Sequence, residues 1–196
     1  MKKAIKYIFL VALITLVSCS QDLLDLNNPN VPTTATFWKT TSDMQLGLTA
    51  TYSQFTRRGN WGRWIYFRYD LTSDEGFSNS PWTELKNWTQ FLYTNYNFVE
   101  GNGIMYKSHY KQIFEANQII SYGNLIKPTS VADSLVKNQI IAQAKFIRAF
   151  DYFNLVIMFG KGEIVLEPSK PGDVYPAGTS DQLYQIAIKD LNEAIV

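Results

Sequence analysis

Residues 142–160 constrain the fold more than any other stretch of this chain, because their pattern is that of an almost entirely apolar helix. Phe146, Phe150 and Phe153 recur at helical spacing, and apolar residues fill most of the neighbouring faces. A helix that is apolar on most sides is buried in a bundle or in a membrane. Arg148 and other polar residues interrupt the run well short of the ~18–20 apolar residues that a membrane span needs. The pattern therefore predicts a central helix with neighbours on several sides, and it places Arg148 in a buried polar network.

The remaining helices are predicted from periodicity and from residues that begin or end helices. Ser42 is expected to cap the first long helix, with Gln45 at the capping-box position, and Gly160 is expected to end the central helix in a left-handed conformation. Thr179 and Gln182 carry the same type of N-terminal signal for the last helix. The predicted helices are Phe37–Trp38 followed by 41–55, then 104–122, 131–159 and a final helix that begins near residue 179.

Between the first two long helices lies a segment with a different composition. Residues 57–102 are rich in Gly, Asn, Ser, Trp and Tyr and have no clean periodicity, so we expect an ordered insertion with short helical turns. Asn117 and Asp151 lie 34 residues apart in successive helices, a spacing typical of tetratricopeptide-like units. The predicted fold class is all-α, with tetratricopeptide-like helix pairs and a long irregular aromatic-rich insertion.

The amino terminus has the pattern of a lipoprotein signal. Three lysines precede an apolar run of about secretory length, and residues 16–19 (Leu-Val-Ser-Cys) are typical of a lipobox. Cys19 is the only cysteine, so it has no disulfide partner within the chain and is the expected site of acylation. We therefore predict a signal peptide at residues 1–18, a lipidated tether at 19–36 and a helical domain at 37–196.

The central helix also resembles a family signature. The matching residues are Ala142, Ala144, Lys145, Phe146, Arg148, Ala149, Tyr152, Phe153, Asn154, Leu155, Phe159 and Gly160. They look like the signature helix of SusD/RagB-type proteins, which are nutrient-capturing outer-membrane lipoproteins. The resemblance implies a lipid-anchored protein, facing the cell surface, that binds a glycan and delivers it to a SusC-like TonB-dependent transporter. Because members of that family are usually longer, it also implies that residues 37–196 are the N-terminal part of a SusD-like domain.

Other functions find little support in the residues. Without residues 1–18 the net charge changes from +1 to about −2, and no basic cluster indicates nucleic-acid binding. No Cys/His cluster or phosphate-binding loop is present, so neither a metal nor a cofactor is expected. The single histidine, His109, is expected to be a structural residue that is at the surface or half-buried. Asp74 and Glu75 are adjacent, whereas a glycosidase needs two acids facing each other across the sugar. An enzyme is not expected.

Aromatic residues instead suggest a binding surface. Four of the five tryptophans lie within 28 residues of one another, interleaved with amides and arginines. Aromatic faces can stack on the apolar face of a pyranose, while amide and guanidinium groups bind its hydroxyls. Trp82 and Trp88 are the first candidates because their neighbours are polar. The full set of candidate ligand-binding residues is Trp82, Trp88, Asn79, Asn87, Gln90, Trp61, Arg63 and Trp64. Further aromatic residues lie among and after the tryptophans in sequence, namely Tyr66, Tyr69, Phe91, Tyr93 and Tyr96.

Three functional classes are consistent with these observations. The first is a surface lipoprotein that captures an oligo- or polysaccharide. The second is a peptide-binding relative on the same scaffold, for which backbone hydrogen bonds would matter more than Trp82. The third is a helical-repeat adaptor that binds a protein partner and no small ligand. Simple packing of the aromatic rings onto the helices is the competing explanation for any individual tryptophan.

Overall fold

The computed structural model describes residues 33–92 and 99–195. Predictions that fall on residues 1–32 and 93–98, including the signal peptide, Cys19, Tyr93 and Tyr96, lie outside the described residues. A short helix, α1 (Thr34–Phe37), belongs to a separate unit that ends at Phe37, and a second compact unit begins at Trp38. The elements of the second unit are α2 (Thr41–Ser53) with a 3₁₀ turn (Gln54–Thr56), α3 (Trp64–Leu71), α4 (Thr83–Thr89), a π-helical turn (Val99–Gly103), α5 (Ile104–Gly123), α6 (Val131–Phe159), β1 (Gly162–Glu163), β2 (Ala177–Gly178) and α7 (Ser180–Glu193).

Helix α6 is the centre of the second unit. It packs against both α5 and α7, and α2 packs on α5 and α6. The two short strands pair antiparallel, with Gly162 opposite Gly178, and lead the chain from α6 into α7. The predicted all-α class with helix pairs is confirmed, and α6 has the predicted bounds.

Three clusters of buried side chains form the core, and α6 contributes to each of them. Ile140 and Ile147 of α6 pack with Met44 and Ile119 from α2 and α5. The C-terminal half of α6 packs with α5 and α7 through residues such as Tyr152 and Leu155. Met158 completes a cluster under α3 and α4 that contains Trp64, Ile65, Leu85 and Trp88. The apolar pattern of residues 142–160 is therefore explained by burial against several partners.

The ends of the long helices follow from their capping residues. Gly160 ends α6 with φ 73°, and its N–H donates to Val156 O at 2.8 Å, as expected. Thr179 and Gln182 form the predicted capping box of α7. The predicted cap of α2 is wrong, because Thr40, not Ser42, has the extended backbone of an N-cap. Its hydroxyl accepts from Asp43 N at 3.2 Å, and the Asp43 carboxylate accepts from Thr40 N at 2.8 Å.

Arg148 lies in a buried polar network, as its position in an apolar helix predicts. Nε and Nη2 donate to the two carboxylate oxygens of Asp190 on α7, each at 2.7 Å. Nη1 donates to Asn117 Oδ1 on α5 at 2.7 Å and to Leu166 O at 3.1 Å. Asn117 in turn donates to Val165 O at 2.9 Å. One guanidinium thus ties α5, α6, α7 and the segment after β1 together.

His109 is fully buried, so the expectation of a surface or half-buried histidine is wrong. Its Nδ1 lies 2.8 Å from Asp151 Oδ1, and both side chains are inaccessible to solvent. Among the described residues, neither Asp151 Oδ2 nor His109 Nε2 has a hydrogen-bond partner. Burial raises the pKa of Asp151 to about 6, and the hydrogen bond from His109 opposes that shift. The pair joins α5 to α6 in the interior.

An apolar groove lies between α6 and α7. It has a volume of about 400 Å³ and is lined almost entirely by carbon atoms of the two helices. Phe146, Phe153, Ile188 and Leu191 are each between two-fifths and half exposed along it.

Within residues 33–92 and 99–195, no helix is both long enough and apolar enough to cross a membrane.

Candidate functional site

The aromatic insertion folds into α3, α4 and the turns that join them, and a pocket of about 400 Å³ lies between them. Its lining residues come from the start of α3 and from α3 itself, from the segment that leads to α4, and from α4. They are Arg63, Phe67, Leu71, Phe77, Ser78, Ser80, Trp82 and Leu85. We call this set the Trp82 pocket.

A buried amide anchors the turn that begins the site. Asn60 donates to Gln112 Oε1 on α5 at 2.8 Å and accepts from Trp61 N at 3.0 Å. Gln112 donates on to Thr51 O at 3.1 Å, so the turn is linked to both α2 and α5. At Gly62 a Cβ atom would lie 2.2 Å from Thr56 O, a separation that only glycine permits. These contacts fix the position of Arg63 and the start of α3.

Trp82 is supported from behind by a buried ring. The rings of Trp64 and Trp82 stack with centroids 5.8 Å apart and planes 24° from parallel. The Arg63 guanidinium lies 4.6 Å from the Trp64 ring and 5.5 Å from the Trp82 ring. Trp82 is 39% exposed, whereas Trp64 is fully buried. Stacking and cation–π contacts therefore hold one tryptophan in a fixed orientation at the surface.

The other predicted tryptophans do not present a ring in the same way. Trp88 and Trp64 are fully buried, so the expectation that they offer exposed faces is wrong. Trp88 meets Trp64 edge-on at 6.2 Å and belongs to the cluster beneath α3 and α4. Trp61 is half-buried and stacks on Tyr69 at 5.9 Å, away from the pocket lining. The Tyr69 hydroxyl donates to Asn154 on α6 at 2.8 Å, so this second stack braces the insertion.

The predicted amides lie outside the lining of the Trp82 pocket. Asn79 and Gln90 are exposed, and Asn87 is half-buried, with its backbone carbonyl accepting from Leu92 N at 2.9 Å. The structure thus brings Arg63, Trp64 and Trp82 together, places Trp88 beneath them against Trp64, and leaves Asn79, Asn87, Gln90 and Trp61 outside the pocket lining.

Sequence reasoning missed the residues that form the opposite wall of the pocket. Phe77 is 69% exposed and Phe67 is 38% exposed. Ser78 and Ser80, which lie between Phe77 and Trp82 in sequence, line the same pocket. Phe67 follows Trp64 by three residues, so their shared face on α3 was a readable signal. An exposed phenylalanine within a Ser- and Asn-rich segment was a second signal. In the described part of the chain, no group of three acidic, His or Cys side chains could hold a metal ion.

A family model described as "Starch-binding associating with outer membrane" (SusD-like) matches residues 22–196. The chain belongs to the SusD-like family. The resemblance predicted from residues 142–160 is thereby confirmed.

Named relatives agree with this assignment. SusD-like protein P2 of Formosa agariphila is 30% identical over 200 residues, which cover 98% of this chain. The SusD-like chain spans only 37% of the length of that curated relative. A SusD superfamily protein of Bacteroides vulgatus has a similar fold, with a TM-score of 0.68 at 21% identity, over 81% of this chain and 35% of the other. A laminarin-binding SusD-like protein matches with a TM-score of 0.63 at 24% identity, over 80% of this chain and 34% of its own.

Proposed function

We propose that this SusD-like chain is part of a surface lipoprotein that binds an oligo- or polysaccharide through the Trp82 pocket. In this proposal Cys19 carries the lipid that anchors the protein to the outer membrane, and a SusC-like TonB-dependent transporter receives the glycan. The family description, which names starch binding and the outer membrane, supports this proposal, and so does the laminarin-binding protein of similar fold.

One observation carries the proposal: an exposed tryptophan ring is held rigid beside hydroxyl groups and a guanidinium. The Trp82 ring rests on buried Trp64 and near Arg63, so little side-chain entropy remains to be lost when a sugar stacks on it. Ser78 and Ser80 line the same pocket. Their hydroxyl oxygens accept from Ser80 N and Trp82 N, and each hydroxyl can still donate its own proton to a ligand. An apolar face with polar groups at its edge suits a pyranose ring, which has the same two kinds of surface.

Affinity electrophoresis through gels that contain laminarin or starch tests the proposal. The full chain is compared with Trp82→Ala and with Tyr52→Ala, a control that removes a similarly exposed ring on α2, outside the pocket. We expect one of the two glycans to retard the wild type and the Tyr52→Ala variant clearly more than Trp82→Ala. Trp88→Ala is unsuitable because that ring is buried and its loss would unfold the site.

Two results would contradict the proposal. Equal retardation of wild type and Trp82→Ala would show that the glycan binds elsewhere on the chain. Failure of both gels to retard the folded wild type would show that neither glycan is a ligand.

A further inference from the structure

A second pocket lies between α5 and the segment from β1 to β2 and shares no lining residue with the Trp82 pocket. Its volume is about 440 Å³, within the range of small-molecule sites. One wall is a face of α5 with Tyr106, Tyr110 and Phe114, and the other is the loop between β1 and β2 with Asp173 and Tyr175. We call it the tyrosine pocket.

The rings on α5 are held by hydrogen bonds at their outer ends. Tyr106 and Tyr110 are one helical turn apart, and their centroids lie 4.8 Å from each other. The Tyr106 hydroxyl donates to the Glu163 carboxylate, and the Tyr110 hydroxyl donates to Glu163 O at 2.9 Å. At Gly162 a Cβ would lie 2.6 Å from the Tyr110 hydroxyl oxygen, so glycine allows this close approach. The wall is therefore rigid before any ligand arrives.

The loop wall is ordered in the same manner. Asp173 accepts from Lys170 N at 2.7 Å and from the Tyr175 hydroxyl at 3.1 Å. Gly172, with φ 92°, provides the left-handed residue that this turn requires. Tyr175 is thus positioned opposite the α5 rings across the pocket.

The polar groups at the tyrosine pocket carry both signs of charge. The hydrogen bond from Lys170 N lowers the pKa of Asp173, with a smaller effect from Tyr175, so this carboxyl is ionised at neutral pH. Burial opposes ionisation of Glu163, yet hydrogen bonds from Tyr106 and neighbouring groups lower its pKa overall. Lys107 adds an ammonium group and Ser169 a hydroxyl. The site therefore offers donors and acceptors beside half-buried aromatic rings.

We propose that the tyrosine pocket is a second saccharide site, which takes one pyranose ring of an uncharged glycan chain. A purely apolar ligand would leave two carboxylates and an ammonium group poorly solvated. An anionic ligand would be repelled by Glu163 and Asp173. A cationic ligand would pair with these carboxylates but leave the Lys107 ammonium without an acceptor, whereas an uncharged polyol can bond to all three groups. This inference rests on the proposed function for its ligand class but uses separate residues.

Two sites on one chain would raise the affinity for a polymer more than for a short oligosaccharide. Once one site holds a polysaccharide, the second binds at a high effective concentration, provided that the polymer can reach both. Loss of either site is then expected to weaken polymer binding by at least about fivefold, without abolishing it.

The test uses the full chain in laminarin and starch gels, with five variants. Tyr175→Ala/Lys107→Ala removes a loop ring and an exposed amine, neither of which contributes to a core cluster. It is compared with Trp82→Ala, with all three substitutions combined, and with Tyr52→Ala as the control. We expect an at least fivefold weaker apparent affinity for Tyr175→Ala/Lys107→Ala, residual retardation of Trp82→Ala, and none when the substitutions are combined. Lys107→Ala alone, which leaves every ring in place, should weaken retardation in the same direction.

The outcomes separate the two proposals, with circular dichroism confirming that each variant is folded. Wild-type retardation of Tyr175→Ala/Lys107→Ala, or complete loss in Trp82→Ala alone, would overturn the second site and leave the first intact. Loss in Tyr175→Ala/Lys107→Ala with no effect of Trp82→Ala would support the second site and overturn the first. No retardation of the wild type in either gel would overturn both.

Discussion

Arg148 carries a permanent positive charge although its side chain is buried among apolar residues. The desolvation cost of burying this charge is offset because four hydrogen bonds, two of them to the Asp190 carboxylate, satisfy the guanidinium. Removing the arginine leaves Asp190 and Asn117 buried without their donor.

Arg148→Ala is therefore expected to lower the free energy of unfolding by about 2–4 kcal/mol. Urea denaturation followed by circular dichroism measures the difference. The matched control is Lys145→Ala on the same helix, because Lys145 pairs with Glu193 at 2.7 Å but nearer the surface. That variant should change stability by less than about 1 kcal/mol. Equal effects of the two substitutions would show that burial of the Arg148 network contributes nothing.

Asp151 has the opposite character, because its charge is disfavoured in the folded protein. Its pKa is raised to about 6 by burial, above the ~3.9 of an unfolded aspartate. A carboxyl that binds its proton more tightly when folded stabilises the fold at low pH. This contribution is complete below about pH 4 and is lost as the pH rises through about 6.

Relative to Asp151→Asn, the wild type should therefore gain about 1–3 kcal/mol in free energy of unfolding between pH 7 and pH 4. Asparagine keeps an acceptor for His109 but does not titrate in this range. Urea denaturation of both proteins at a series of pH values measures the difference. A difference that stays constant across the series would mean that Asp151 is ionised throughout and that burial does not raise its pKa.

At the scale of elements, the long helices could be predicted because their signals are redundant. Helix α6 combines apolar periodicity with an N-cap at Ser130 and a left-handed glycine at its end. Helices α3 and α4 have eight and seven residues, too few for periodicity to show, and the Trp64–Trp88 contact that positions them spans 24 residues. Thr40 was missed because three hydroxyl residues in a row, 40–42, can each serve as a cap.

Gly160→Ala tests the end of α6. No heavy atom lies within 4 Å of the position that a Cβ would occupy, so the cost comes from the left-handed backbone alone. We expect about 1 kcal/mol lower stability, and a smaller loss for Gly160→Asn, because asparagine tolerates this conformation better. Thermal unfolding of both variants measures the order. Alanine as stable as asparagine would show that the φ of residue 160 is not left-handed in solution.

At the scale of the whole molecule, part of the candidate site could be predicted and part could not. Leu85 and Trp88 lie three residues apart on α4, so they share a face, and the core covers that face. Polar neighbours in sequence suggested exposure for both Trp82 and Trp88, yet only Trp82 precedes the helix and escapes burial. Aromatic residues serve cores and surfaces equally well, and tertiary contacts decide between the two.

The proposed membrane attachment is also a property of the whole molecule, and it would depend on one atom. If Cys19 Sγ carries the lipid, cells that express the wild type should incorporate radiolabelled palmitate into the protein, and Cys19→Ser should incorporate none, since the chain has no other cysteine. Ser20→Ala is the neighbouring control and should label normally. Labelled protein in the Cys19→Ser variant would refute the lipobox assignment.

The shared guanidinium also determines how the molecule opens. Neither α5 nor α7 can leave α6 without stranding part of the Arg148 network, so local fluctuations that separate a single helix are costly. Buried amide protons in these three helices should therefore exchange with deuterium together, at one slow rate set by a common opening event. Hydrogen exchange would then show that α5, α6 and α7 open as one cooperative unit.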